Sequence, residues 1–187
     1  MALSPQIPAT MRAVCLTGHG DFDRLQLRVD LPTPTPARGE VLVRLRAAAL
    51  NNTDVNLRTG WYAKSPGEGA GWDGGAVRFP RIQGADGCGV VVAAGPATDP
   101  ALLGRRVLLD PIVRVATAGP DPRIEYLGTD RDGCFAEYVV VPAGNAIAID
   151  SALDDAELAS FPCSYLAAEH MLARAAVGQH EEVLVTG

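Results

Sequence analysis

The sequence lacks the long apolar run that a membrane-spanning helix requires. Crossing a bilayer takes roughly 20 consecutive apolar residues, and no segment of this 187-residue chain approaches that length. Residues 1–12 also lack the apolar core of a secretory signal. A cytoplasmic location and no membrane partner are therefore expected.

Basic residues are too few for a protein whose main partner is nucleic acid. The chain has 16 Lys and Arg against 22 Asp and Glu, which gives a net charge of −6 and an isoelectric point near 5.0. Binding a phosphate backbone requires a basic surface that neutralises it. We therefore expect no nucleic-acid partner.

Cysteine is scarce and unpaired. The chain has 4 cysteines, and no two of them are spaced as C-x-x-C. In a cytoplasmic protein they are expected to be free thiols, and a structural zinc site of the four-cysteine type is not expected. Cys15, Cys88 and Cys134 lie in apolar stretches and should belong to the core.

Short apolar segments separated by Gly and Pro fill residues 11–150, which is typical of β-strands. Such a series of short strands predicts an all-β barrel or sandwich. Residues 1–10 are expected to form a leader and residues 61–83 a long surface loop. The predicted strands are Met11–Leu16, Leu25–Val29, Val41–Ala49, Gly84–Gly95, Arg105–Pro111, Gly133–Pro142 and Ala146–Ile149.

Helical periodicity replaces the strand pattern after residue 150, and one earlier segment, Asn51–Gly60, suits a short helical turn capped by Asn or Thr. Within residues 151–177, Ser151 or Asp154 should cap a first helix, while Pro162 should begin a second that ends at Gly178. Residues 182–186 (EVLVT) then predict a short buried strand, as at the start of a parallel dinucleotide-binding sheet.

The order of these segments resembles a known family. The segments MRAVCLTGHGDFDRLQL, GEVLVRLRAAALNNTD, FPRIQGADGCGVVVAAG, GCFAEYVVVPAGNAIAI, LASFPCSYLAAEHML and EEVLVTG occur in this order. Over residues 11–187 they resemble the medium-chain dehydrogenase/reductase superfamily, nearest its quinone oxidoreductase-like, zinc-free branch. The resemblance implies a mainly β fold: a GroES-like β-barrel over residues 11–150, then linking α-helices and the first strand of a truncated Rossmann domain over residues 151–187.

The resemblance also implies a function. Intact members reduce or oxidise small molecules with NAD(P)H, which binds to the Rossmann domain. The chain is therefore expected to be the N-terminal, substrate-binding part of an NAD(P)H-dependent oxidoreductase, inactive by itself, that transfers hydride to a carbonyl or a conjugated double bond of a small-molecule substrate.

The positions that hold catalytic zinc in zinc-dependent members are altered. The resemblance places Asn51 at the first ligand position, Ala85 at the second and Cys163 at the third, with Asp86 at the acidic position beside them. Alanine cannot bind a metal, and asparagine is not among the usual ligands of catalytic zinc. The stretch Asp110–Gly133, where a structural zinc lobe would lie, has no cysteine. No zinc is expected.

Two side chains are candidates for catalysis. Asn51 matches the asparagine that the quinone-reductase branch places beside the nicotinamide, and its amide is suited to donate to a substrate carbonyl; a plain helix cap is the alternative. Thr53 matches the hydroxyl of the zinc enzymes' proton relay, although a structural turn or cap suits it better in the absence of a metal-bound alkoxide.

Four further side chains are candidates for substrate contact. Trp61 and Tyr62 are adjacent at the start of the long loop and suit the wall of an apolar pocket, or else they anchor the loop. Asn56 stands where the branch often has tyrosine. Cys163 should lie at a helix N-terminus, where the backbone N–H groups favour a thiolate; an inert core cysteine is the alternative.

Two other functions remain open at this point. One is a zinc-dependent alcohol dehydrogenase with non-standard ligands, and the other is a non-enzymatic GroES-like binding module. A homodimer is also possible, and residues 181–187 are expected to be disordered or paired with the edge of a neighbouring chain.

Overall fold

The described parts of the chain, residues 6–63 and 76–186 of a computed structural model, form ten β-strands and three α-helices. The strands are β1 (Thr10–Leu16), β2 (Leu25–Pro32), β3 (Glu40–Ala49), β4 (Arg81–Ile82), β5 (Asp86–Ala94), β6 (Arg106–Leu109), β7 (Ile112–Val115), β8 (Arg123–Tyr126), β9 (Tyr138–Pro142) and β10 (Ala146–Ala148). The helices are α1 (Asn52–Thr59), α2 (Asp155–Ala159) and α3 (Pro162–Arg174).

A five-stranded antiparallel sheet of order β10-β6-β5-β3-β9 is the centre of the fold. On β3, Val43 is aligned with Val91 of β5 on one side and with Val139 of β9 on the other. Val41 and Val43 point into the main hydrophobic core, while Leu42 between them points into a second one. An unbroken apolar run is what a strand covered on both faces requires.

The second core lies between this sheet and a three-stranded sheet of order β2-β1-β4. Met11, Ala13 and Cys15 alternate along β1 and are buried on one face, against Ile82 and Tyr138. Strands β7 and β8 form a separate two-stranded antiparallel sheet. The curled, mainly β architecture that was predicted is confirmed.

The seven strands predicted within residues 11–150 all form, with ends that shift by a few residues, and three further strands were not predicted. These are β4, β7 and β8, which have only two or four residues each. Strands this short carry too little alternation to be recognised. Of the predicted leader, residues 1–5 lie outside the described part. Ala9, also in the predicted leader, accepts a hydrogen bond at its carbonyl from the N–H of Thr33 at 3.0 Å. Of the predicted surface loop, residues 64–75 also lie outside it.

Helices α2 and α3 begin where their capping residues predict. The N–H of Glu157 donates to the Asp154 carboxylate at 2.8 Å, and the N–H of Asp154 donates to the Glu157 carboxylate at 2.8 Å, a reciprocal cap. Pro162 is the first residue of α3, and the helix ends at Arg174 and not at the predicted Gly178.

Arg106 on β6 joins the sheet to the segment that contains α2. Its Nε lies 2.7 Å from an Asp155 carboxylate oxygen, and its two terminal nitrogens donate to the carbonyls of Ser151 at 3.1 Å and Leu153 at 2.7 Å. These contacts hold the chain against the barrel just before α3 begins.

The strand predicted over residues 182–186 is not formed. Residues 181–186 are exposed and have no strand pairing within the described part of the chain. A strand of a parallel sheet needs neighbours that satisfy its backbone groups, and the described residues supply none beside it. No helix in residues 6–63 or 76–186 is long and apolar enough to cross a membrane.

Candidate active site

Asn51 connects the end of β3 to the start of α1. It has an extended backbone (φ −124°, ψ 161°) and is the N-cap of α1, as predicted. Its N–H donates to the Asp54 carboxylate at 2.9 Å, which satisfies a backbone donor just before the first turn of the helix. The Asn51 side chain is thereby held at a fixed position beside the sheet.

Asp86, the first residue of β5, joins this turn to the N-terminus of α3. The side-chain amide of Asn51 donates to Asp86 Oδ2 at 2.9 Å, and the backbone N–H of Cys163 donates to Asp86 Oδ1 at 2.7 Å. Asp86 is only 1% exposed. Its burial raises the pKa of the carboxyl group, and the two donors partly offset this effect.

Cys163 lies in the first turn of α3, as predicted, and is partly buried. Its Sγ lies 3.2 Å from the hydroxyl of Tyr126 on β8. Burial raises the pKa of the thiol despite its hydrogen bond with Tyr126. This direction is opposite to the one that a helix N-terminus favours, and it agrees with the alternative of an inert core cysteine.

Asp54 is a second buried carboxylate in the same region. Besides the N–H of Asn51, it accepts the N–H of Gly84 at 3.1 Å, and its backbone carbonyl accepts the side-chain amide of Gln83 at 2.9 Å. Desolvation raises the pKa of Asp54, and the charge of nearby Asp86 adds to this shift. Through these hydrogen bonds Asp54 fixes the segment that leads into β5.

The four other candidate side chains lie together. The Tyr62 hydroxyl donates to Thr53 Oγ1 at 3.3 Å and accepts the side-chain amide of Asn56 at 3.2 Å. Trp61 packs edge-to-face on Tyr62, with 5.3 Å between the ring centroids, and is 71% exposed. The arrangement forms a polar row along α1 with an aromatic pair at its end.

Sequence reasoning missed Tyr126 and gave Asp86 no role of its own. Asp86 was recognised only by its place beside the zinc-ligand positions, although a charged residue at the start of the apolar run GCGVVV is itself a signal for a buried carboxylate with partners. Tyr126 lies on β8, a strand that was not predicted, so no sequence pattern related it to Cys163. The roles predicted for Asn51, Thr53, Asn56, Trp61, Tyr62 and Cys163 stay predictions.

The donor set at this site is poor in metal ligands. Within residues 6–63 and 76–186, no group of three or more His, Cys, Asp and Glu side chains is arranged to hold a metal ion. Ala85, which precedes Asp86, is buried and offers no ligand atom.

The mainly β fold, with its polar junction of α1, β5 and α3, matches a known domain family. The family model of the alcohol dehydrogenase GroES-like domain matches residues 37–151. The chain belongs to this family, within the medium-chain dehydrogenase/reductase superfamily, and the predicted family is confirmed.

Three similar proteins illustrate the relationship. A Sinorhizobium meliloti 1021 protein assigned provisionally as an alcohol dehydrogenase is 44% identical, with a TM-score of 0.83 over 97% of this chain. RspB of Escherichia coli CFT073, solved with NADH, is 26% identical, with a TM-score of 0.71 over 89% of this chain. The cobalt- and zinc-bound alcohol dehydrogenase of Pyrobaculum aerophilum is 30% identical, with a TM-score of 0.73 over 92%.

This chain spans about half the length of those proteins. It covers 51% of the Sinorhizobium chain, 46% of RspB and 50% of the Pyrobaculum enzyme. The relatives named are dehydrogenases, and the part they share with this chain contains the GroES-like domain.

Proposed function

We propose that this chain is the substrate-binding part of a zinc-independent, NAD(P)H-dependent oxidoreductase that reduces a carbonyl or a conjugated double bond. The observation that carries the proposal is the hydrogen-bonded junction of Asn51, Asp86 and Cys163. It occupies the positions where zinc-dependent relatives are expected to bind their metal.

The residues at this junction do not fit a catalytic zinc ion. Asn51 turns its amide nitrogen toward Asp86, and that nitrogen is a poor metal ligand because its lone pair is delocalised into the amide carbonyl. Ala85 has no ligand atom at all. The Asp86 carboxylate and the Cys163 thiol remain as possible ligands at the junction, and two are too few where three protein ligands are usual. No step through zinc is therefore derived.

The junction fits polarisation of a carbonyl by a hydrogen bond. A bound NADH or NADPH would supply the hydride from its nicotinamide ring. The Asn51 amide nitrogen has two hydrogens, and only one of them is donated to another side chain in the described part of the chain. The second N–H is suited to a substrate oxygen, which gains negative charge when hydride adds to the adjacent carbon.

The row along α1 is suited to the substrate side of the same pocket. Thr53 and Tyr62 are joined by a hydrogen bond, so the hydroxyl proton of one residue can face the hydroxyl oxygen of the other. We propose that Tyr62 and Asn56 contact the polar end of the substrate. Trp61, which is largely exposed, supplies an apolar surface next to them.

The experiment measures oxidation of NADH and NADPH by the intact gene product, with 2-cyclohexenone and benzaldehyde as probes. Activity that survives treatment with a chelator, together with less than stoichiometric zinc by metal analysis, is the expected result. Stoichiometric zinc that is required for turnover would favour the zinc-dependent alternative. Failure to oxidise either cofactor with both probes would contradict the proposed reaction.

A further inference from the structure

Asp86 is the point where three segments distant in sequence meet. One carboxylate oxygen accepts from Asn51, 35 residues away, and the other accepts from the backbone of Cys163, 77 residues away. Asp86 is 1% exposed, and no Arg, Lys or His in the described part of the chain forms an ion pair with it. Both carboxylate oxygens of Asp86 therefore form hydrogen bonds with residues of the candidate active site.

An ionised carboxylate can only accept hydrogen bonds. Asn51 must therefore turn its amide nitrogen, and not its amide oxygen, toward Asp86. The same contact fixes the direction of the second N–H on that nitrogen, because the two hydrogens of an amide lie in one plane. Asp86 thus decides whether Asn51 presents a donor or an acceptor to a ligand.

We propose that Asp86 is a positioning residue that orients the Asn51 amide as a hydrogen-bond donor to the substrate oxygen, while its second oxygen fixes the start of α3 beside it. The inference rests on the proposed function. In this chain the Asp86 carboxylate connects Asn51 and Cys163, which stand at positions that a metal ion would connect in a zinc-dependent relative. The Asn51 donor that it orients selects substrates whose reacting group is a hydrogen-bond acceptor, such as a ketone, aldehyde or enone.

The direct test is Asp86→Asn, which keeps the size of the side chain. Its amide oxygen can still accept from Cys163, while its NH₂ group faces Asn51 and favours rotation of the Asn51 amide by half a turn. A misplacement of about 1 Å in a reacting group costs about 100-fold in rate. We therefore expect kcat of the intact gene product, with NADPH and 2-cyclohexenone, to fall about 100-fold, while KM changes little.

A second readout does not depend on turnover. In ¹⁵N-labelled protein, the side-chain NH₂ resonances of Asn51 should move in Asp86→Asn. They should stay in place in the control Asp99→Asn, which changes an exposed aspartate whose carboxylate accepts one backbone N–H, that of Ala101 at 2.9 Å. Unmoved Asn51 resonances in Asp86→Asn would overturn the inference even if activity is lost.

A paired exchange separates folding from positioning. In the double variant Asn51→Asp with Asp86→Asn, the new amide at position 86 donates to the new carboxylate at position 51, so the hydrogen bond re-forms in the opposite sense. Stability should recover toward that of the parent protein, while kcat stays low because position 51 no longer has an N–H. Full recovery of kcat would overturn the inference.

The variant Asn51→Ala distinguishes this inference from the proposed function. If Asn51→Ala keeps full activity, the donor role of Asn51 fails, and the role of Asp86 fails with it. If Asn51→Ala is impaired but Asp86→Asn is as active as the parent protein, the proposed function stands and only the positioning role of Asp86 is refuted.

Discussion

Gly133 lies against the segment that leads into the candidate active site, and replacing it with alanine should force the two apart. A Cβ at Gly133 would lie 2.2 Å from the carbonyl oxygen of Gly84 and 2.7 Å from that of Gln83. Both oxygens accept backbone hydrogen bonds, from Cys134 and Phe135, each at 2.9 Å. Neither can move without weakening its bond.

The cost of Gly133→Ala follows from these contacts. Overpacking of a close-packed interior costs about 1–3 kcal/mol, and each weakened backbone hydrogen bond adds about 1 kcal/mol. The free energy of unfolding should therefore fall by about 3–5 kcal/mol. For a domain of this size, that lowers the thermal midpoint by at least about 6 °C.

Urea and thermal unfolding followed by circular dichroism would measure the effect. The matched control is Gly144→Ala, because a Cβ there meets no atom within 4 Å and the backbone is not left-handed. We expect the control to stay within about 0.5 kcal/mol of the parent protein. Equal stabilities for Gly133→Ala and Gly144→Ala would refute the close approach of residues 83–84 and 133.

Three further perturbations test the packing around the site. Leu57→Ala, which truncates a side chain that is 1% exposed, should cost about 2–5 kcal/mol by urea unfolding, whereas Val55→Ala on the exposed face of α1 should cost far less. Arg106→Ala should lower the thermal midpoint more than Arg105→Ala, because only Arg106 binds the α2 segment; equal midpoints would contradict this. Burial raises the pKa of Asp54 in the folded chain, so folding takes up a proton. That contribution to stability is complete below the usual aspartate pKa of about 3.9 and declines as pH rises above it. From pH 4 upward, the urea midpoint of the parent protein should fall relative to that of Asp54→Asn. The same pH dependence in both proteins would argue against a raised pKa for Asp54.

Most of the barrel could be predicted because its strands follow local rules. The apolar run of β3, the alternation of β1, and the Gly and Pro between strands are all visible in the sequence. The N-caps Asn51 and Asp154 were found because short polar side chains favour that position over a helix interior.

The assembly of the site could not be predicted in the same way. Nothing local relates Asp86 to Cys163, since their contact depends on how β5 and α3 meet in three dimensions. For Cys163 the sequence left two interpretations, a thiolate at a helix N-terminus or an inert core cysteine, and only the packed structure shows that burial raises the pKa of this thiol. Tyr126 was missed because the four-residue strand that presents it is too short to recognise.

The two long-range hydrogen bonds of Asp86 have a consequence for how the chain reaches its final state. Contacts that join residues far apart along the chain close large loops, and they form only after the entropy of those loops has been lost. Asn51, Asp86 and Cys163 can therefore meet only once the barrel has closed and α3 has docked. The contact between Cys163 and Asp86 is a late marker of folding, and a protein trapped part-way would keep its β-sheet circular dichroism while it lacks that contact.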